Sequence, residues 1–121
     1  MLEQLLYLSG LFDLYGPLLT EKQQECLRLH LFEDFSLAEI GESLGISRQA
    51  AYDNIHRGQK AMEVYEEKLG LAKRYRLERR ELAEVAGRIE RLRQPENEEA
   101  VDEIVRRLSP LLGQAGREAN L

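Results

Sequence analysis

The sequence predicts an all-α fold: a helical bundle, then a long helix, then a C-terminal helix that packs back. The 121 residues include only three prolines and no tryptophan. Leu, Glu, Arg and Ala, which favour helices, are abundant. Apolar residues recur at spacings of three and four through most of the chain, which is the period of a helix with one buried face. A chain of this length forms one domain, with room for a short helical extension.

The first helix is predicted over Leu2–Tyr15, because its apolar residues share one face and Gly16-Pro17 then ends it. Thr20 is suited to cap a second helix over 21–32, because Gln23 follows three residues later and completes a capping box. The side chains expected to point inward from these two helices are Leu5, Leu8, Phe12, Tyr15, Cys26, Leu27, His30 and Leu31.

Residues 36–69 contain two helical patterns joined by a tight turn. Ser36 and Glu39 form a second capping box, and Gly45 suits the left-handed position that ends a helix. Ile46 can fill the gap between the helices, and Ser47 caps the second one. These features together are the parts of a helix-turn-helix. They are a cap, an apolar triplet (Leu37, Ile40, Leu44), a glycine turn, an apolar residue that fills the gap, and a second cap.

In such a motif the second helix offers its N-terminal side chains to a nucleic-acid groove. The helical period turns Ala51, Ile55, Met62, Tyr65 and Leu69 inward. Arg and Gln can make bidentate contacts with base edges, and Tyr can stack or reach a phosphate. An ordinary solvated helix face is the alternative interpretation. The side chains left for solvent or a partner are Arg48, Gln49, Tyr52, Asp53, His56 and Arg57.

From Ser47 the helical pattern runs on as an unusually long helix, which Gly70 either breaks or bends. Leu82, Val85, Ile89 and Leu92 then follow the spacing of a coiled-coil seam. This stripe fits either a homodimer through residues 71–92 or a pairing with the last helix. Gln94-Pro95 marks a turn, and a final helix is expected to end at Leu112.

The net charge of −5 argues against a simple high-affinity DNA-binding protein, since neutralising phosphates dominates that affinity. Residues 70–93 nevertheless hold eight basic against four acidic side chains, a net of +4. This basic block could follow a nucleic-acid backbone or face the acidic residues 96–103. Its backbone-contact candidates are Lys73, Arg74, Arg76, Arg79 and Arg80.

The sequence contains no set of residues with the types and spacing of an enzyme active site. His30 and His56 lack neighbours at the spacing of a zinc site, and neither a phosphate-binding GxxxxGK[ST] nor a GxGxxG motif occurs. The lone Cys26 fits a small core residue in a reducing compartment. The apolar N-terminus carries Glu3 and Asp13 and fits a core helix better than a membrane span. We therefore predict a non-enzymatic protein with no cofactor, no metal and no membrane segment.

Three stretches resemble the YlxM family of small bacterial helical proteins. They are LFDLYGPLLTEKQQ at 11–24, EDFSLAEIGESLGISRQAAYDNIHR at 33–57 and YEEKLGL at 65–71. The family's helix-turn-helix is similar to the fourth region of sigma factors. The resemblance implies a cytoplasmic accessory or regulatory factor of the signal recognition particle. This expectation comes largely from the position of the family's genes beside those of the particle's GTPases.

The resemblance implies the particle's RNA, its GTPase, or both as partners. DNA is the alternative partner, in which case the chain would be a transcription regulator. The family usually has a lysine at His56, so this chain lacks one positive charge there at neutral pH. The expected organisation is a helix-turn-helix bundle at 1–69, a helical extension at 70–113 and a flexible tail at 114–121. The recognition-face candidates are Arg48, Gln49, Tyr52, Asn54 and Arg57.

Overall fold

A computed structural model describes residues 2–113, and the predicted all-α fold is confirmed, with no strand among these residues. A short 3-10 turn over Gly16–Leu18 follows the first helix. The contacts divide the chain into two compact units, with the boundary between Ala72 and Lys73. The predicted tail at 114–121 lies outside the described residues. The described residues form six α-helices, namely α1 (Leu2–Tyr15), α2 (Glu21–Phe32), α3 (Leu37–Leu44), α4 (Arg48–Leu69), α5 (Leu71–Arg91) and α6 (Glu98–Leu112).

Both predicted capping boxes are present. The Thr20 hydroxyl accepts from the Gln23 amide at 3.2 Å, and the Gln23 side chain accepts from the Thr20 amide at 3.1 Å. Ser36 and Glu39 make the same pair of bonds at 3.1 and 2.8 Å. The bond from the Ser36 amide holds the pKa of Glu39 below its usual range. These bonds satisfy amides that a helix start otherwise leaves unpaired.

In the first unit α4 packs against α1, α2 and α3. A Cβ added at Gly58 of α4 would lie 2.6 Å from Leu27 Cδ1, so only glycine lets α2 come this close without a shift. The expectation for α1 needs one correction: Leu11 is fully buried, whereas Leu5 is 37% exposed. The buried core comprises Leu8, Leu11, Tyr15, Leu19, Cys26, Leu27, Ile40, Ala51, Ile55, Met62 and Ala72.

The long helical pattern breaks at Gly70. This residue adopts the left-handed conformation, with φ 62°, and its amide donates to the Glu66 carbonyl at 2.8 Å. Such a residue ends a helix, so α4 stops at Leu69 and α5 begins anew. Leu69, the last residue of α4, is 56% exposed, so its predicted inward position is wrong.

The start of α5 is held by side chains from two other helices. The Tyr15 hydroxyl donates to Glu66 Oε1 at 2.7 Å and accepts from the Leu71 amide at 3.3 Å. The same carboxylate oxygen accepts from the Ala72 amide at 2.9 Å. Burial and the bond to Glu66 raise the pKa of Tyr15 to about 12. Tyr15 and Glu66 therefore cap α5 in place of a local serine or threonine.

The second unit consists of the rest of α5 together with α6. The Arg93 guanidinium lies 2.9 Å from Glu90 Oε1 and 2.8 Å from Asp102 Oδ1, which ties the turn after α5 to α6. Val101 is buried, whereas Leu92 of the predicted stripe is 66% exposed. Among the described residues, the apolar faces of α5 and α6 are thus only partly covered.

Candidate nucleic-acid interface

The helix-turn-helix geometry depends on the turn between α3 and α4. Gly45 takes the left-handed conformation with φ 69°, and the Ile46 amide donates to the Gly41 carbonyl at 2.9 Å. A Cβ added at Gly41 would lie 2.7 Å from the Ile46 carbonyl oxygen. The chain therefore needs glycine at two positions to bring Ser47 and α4 across α3. The turn at Gly45 is predictable from the sequence, whereas the requirement at Gly41 is not, because Gly41 sits inside a regular helical pattern.

The first turns of α4 display three of the predicted recognition residues together. Arg48, Gln49 and Tyr52 are all exposed, and with Leu37 of α3 they line a depression of about 300 Å³. The opposite side of α4 is buried through Ala51, Ile55 and Met62, as predicted. Burial of that stripe leaves these polar side chains facing solvent.

Asn54 and Arg57, the other two recognition candidates, lie in different surroundings. Asn54 is half-buried, and its side-chain amide donates to the Ala50 carbonyl of its own helix at 2.9 Å. Arg57 is exposed and lines a second, open groove on α4. Of the five candidates, Asn54 is therefore the least accessible to a partner.

Two side-chain pairs organise the exposed face. Gln49 Nε2 donates to Asp53 Oδ1 at 3.0 Å. The rings of Tyr52 and His56 lie parallel, with an interplanar angle of 6° and their centroids 5.8 Å apart. Parallel offset rings at this distance are a favourable arrangement. The face therefore offers an ordered aromatic pair beside its polar groups.

The second groove continues from His56 towards the end of α4. Its volume is about 410 Å³, and its lining combines cations at one end with apolar side chains. Lys60 adds a cation that was not among the predicted site residues, and its position one helical turn after His56 is the sequence signal for it. The groove is lined by His56, Arg57, Lys60, Ala61, Val64 and Tyr65.

The predicted basic residues of α5 belong to the second unit and form a candidate surface of their own. Arg74 is paired with Glu78 at 3.2 Å. The Arg79 guanidinium lies over the Tyr75 ring, 5.1 Å from its centroid. Arg76 and Arg79 are half-buried, whereas Lys73, Arg74 and Arg80 are exposed. Because Arg74 is paired with Glu78 and Arg79 lies over Tyr75, these two guanidinium groups are less available to a phosphate.

Other kinds of site find no support in residues 2–113. No cluster of three or more His, Cys, Asp or Glu side chains could hold a metal there. Cys26 is fully buried, and burial raises the pKa of its thiol, which suits a core residue. In the same range no helix is long and apolar enough to cross a membrane.

The capped α3, the glycine turn and the exposed start of α4 define an all-α protein of the helix-turn-helix class. The family model UPF0122, described as "Putative helix-turn-helix protein, YlxM / p13 like", matches residues 2–104. The chain therefore belongs to this family, as its resemblance to YlxM proteins predicted.

Relatives in several bacteria are similar to this chain over most or part of its length. It is 40% identical over 113 residues to a UPF0122 protein of Thermoanaerobacter sp. (strain X514), covering 90% of this chain and 97% of the relative. It is 49% identical over 75 residues to one of Halalkalibacterium halodurans, covering 62% and 69%. A Lactococcus lactis subsp. cremoris (strain MG1363) relative is 52% identical over 68 residues, covering 56% and 61%.

Proposed function

We propose that this chain is a non-enzymatic accessory factor of the bacterial signal recognition particle pathway, acting in the cytoplasm and binding the particle's RNA. The observation that supports nucleic-acid binding is the joint exposure of Arg48, Gln49 and Tyr52 at the start of α4. These are the side-chain types that contact base edges and phosphates in helix-turn-helix proteins. The choice of this RNA follows from the resemblance to the YlxM family.

The test is a fluorescence-anisotropy titration of labelled signal recognition particle RNA. It is run at low and near-physiological salt, with random duplex DNA as an unlabelled competitor. Binding that resists the competitor and persists at the higher salt is expected, since purely electrostatic attachment falls steeply with salt. RNA binding that is absent, or that any duplex erases equally, would refute the proposal.

Charge reversal identifies the contact surface. Arg48→Glu on α4 is compared with Arg80→Glu on α5, and Lys22→Glu on α2 is the control with the same change in net charge. All three side chains are exposed. We expect Arg48→Glu to weaken binding and the other two variants to leave it near the original value. If Arg80→Glu alone weakens binding, the contact surface is the basic part of α5 and the assignment to α4 is wrong.

Promoter DNA is the alternative ligand, which would make the chain a transcription regulator. The position of Arg48 and Gln49 in the first turn of the second helix favours it, because that turn enters the major groove in DNA-binding helix-turn-helix proteins. Genomic selection of duplex fragments by the purified protein tests it. A recurring sequence motif among the fragments would support this alternative over the RNA.

The particle's GTPase is the second proposed partner, and a homodimer through α5 is proposed beside it. Leu77, Val85 and Leu92 expose apolar surface along α5, which supports an interface there. Light scattering of the purified chain, alone and with the GTPase, measures both associations. The Val85→Glu variant is expected to weaken the dimer and to leave a complex made through α4 intact.

A further inference from the structure

The aromatic pair on α4 has a geometry suited to stacking. Tyr52 and His56 stand one helical turn apart, with ring planes only 6° from parallel. Tyr52 is 48% exposed, and His56 is exposed as well. Proteins bind unpaired bases by stacking them on aromatic rings, and each stacked base adds substantially to affinity. A ring that is already ordered by its neighbour loses less conformational entropy when a base stacks on it.

The depression beside Tyr52 is open to solvent and has room for one heterocycle. Its volume of about 300 Å³ is at the lower end of the roughly 300–1,000 Å³ that small-molecule sites span. Leu37 supplies an apolar wall from α3, and the Tyr52 ring supplies another surface. An unpaired base can enter such a space with its flat face against the Tyr52 ring. A base pair within a duplex presents only its edge, because its faces are covered by the neighbouring pairs.

Polar groups for a base edge stand on the remaining side of the depression. Gln49 lines the depression, and its side-chain amide carries an acceptor oxygen beside the Nε2 group that donates to Asp53 Oδ1 at 3.0 Å. The Arg48 guanidinium contributes donors in a planar fork. An unpaired base exposes donors and acceptors on edges that a duplex hides. The lining therefore combines a stacking surface with both kinds of hydrogen-bonding group.

The charge of this face suits a short single strand better than a long duplex. From Arg48 to Lys60 the helix carries three basic and one acidic side chain, a net of +2, on a chain whose net charge is −5. Duplex affinity depends mainly on the number of phosphates neutralised. Arg57 and Lys60 can meet one or two phosphates beside a stacked base, so stacking must provide the rest of the affinity.

We propose that the depression bordered by Leu37, Arg48, Gln49 and Tyr52 binds one unpaired nucleobase, stacked on the Tyr52 ring, so that the chain selects looped or single-stranded nucleic acid over duplex. This inference rests on the proposed nucleic-acid-binding function and names the part of the nucleic acid that is recognised. Loop RNA and single-stranded DNA share this chemistry, and the experiment separates them.

The experiment compares four labelled probes with the full chain by fluorescence anisotropy. They are an RNA hairpin with an open purine-rich loop, the same loop sequence annealed to its complement, and the DNA counterpart of each. A fluorescent adenine analogue placed in the loop reports stacking through loss of its emission. The variants are Tyr52→Ala and, as a matched control that keeps the ring, Tyr52→Phe. Circular dichroism melts verify that both variants fold.

The expected result is tighter binding of the open loop than of the annealed duplex, with quenching of the adenine analogue. Tyr52→Ala should weaken loop binding about 5- to 150-fold, the range that corresponds to one stacked base. Tyr52→Phe should stay within about twofold and keep the quenching, because stacking needs the ring and not the hydroxyl. Preference for the RNA loop over the DNA loop would assign the source to RNA, and the reverse would assign it to single-stranded DNA.

Two results would overturn the inference, and they differ in what else they overturn. If duplex binds at least as tightly as the loop and both Tyr52 variants behave alike, the base pocket is wrong while nucleic-acid binding stands. If none of the four probes binds and the particle's RNA also fails to bind, the proposed function falls together with the inference.

Discussion

Replacing Gly41 by alanine should destabilise the helix-turn-helix, although alanine is the better helix former. The new Cβ would lie 2.7 Å from the Ile46 carbonyl oxygen and 3.4 Å from the Arg48 amide nitrogen. Both neighbours are backbone atoms of the turn, so no side-chain rotation can relieve the contact. The turn itself must move away from α3.

The expected size of the effect follows from three contributions. Overpacking costs about 1–3 kcal/mol. Moving the turn also weakens the 2.9 Å bond from the Ile46 amide to the Gly41 carbonyl, worth about 1 kcal/mol. The higher helix propensity of alanine offsets about 1 kcal/mol of this destabilisation. The net loss in the free energy of unfolding is about 1–3 kcal/mol, which lowers Tm by about 4–12 °C for a chain of this size.

Gly87→Ala is the matched control, because Gly87 is an exposed helical residue of α5 with nothing within 4 Å of its added Cβ. The same substitution should there raise stability by about 0.5–1 kcal/mol. Thermal melts followed by far-UV circular dichroism measure both variants, and each variant is expected to shift the transition of its own unit. A Gly41→Ala protein that melts at or above the original temperature would refute the close contact at the turn.

Three further predictions follow from the described contacts. Tyr15 holds its proton more tightly when folded, with a pKa of about 12 against 10.0 for the unperturbed group. The stability that this proton confers is therefore full below pH 10 and lost as the pH rises to about 12. Denaturant melts across this range should show a smaller alkaline loss for Tyr15→Phe, and an equal loss would contradict the assignment. Cys26 is buried, and its thiol has a raised pKa. It should therefore resist iodoacetamide in the folded chain and react on unfolding, which mass spectrometry can measure. Rapid labelling of the native protein would count against its burial. Ser36→Ala removes the bond from the Glu39 amide and should lower the unfolding free energy by about 1 kcal/mol in urea melts, whereas Ser36→Asp should retain most of the stability.

Features that depend on near neighbours in the chain were predictable from the sequence. The capping boxes at Thr20 and Ser36 involve residues three apart, so composition and order suffice to predict them. The exposure of Arg48, Gln49 and Tyr52 followed from the helical period once the inward stripe was known. Their roles as recognition residues stay predictions.

Features made by residues distant in sequence were not predictable. Tyr15 and Glu66 are 51 positions apart, and no local pattern indicates that they meet. The close approaches at Gly41 and Gly58 involve atoms of other segments, namely the Ile46 backbone and the Leu27 side chain. The Tyr52–His56 stack is local, and the spacing of four residues between the two rings is a sequence signal for such a contact on one helix face.

The capping of α5 by Tyr15 and Glu66 determines where the chain can be divided for recombinant work. A fragment that stops at Leu69, the residue before the glycine break, would lack the Leu71 and Ala72 amides that these two side chains bind. A buried tyrosine hydroxyl and a carboxylate would then need other donors, which is costly in an apolar setting. Fragments of the first unit should therefore extend at least one full turn into α5.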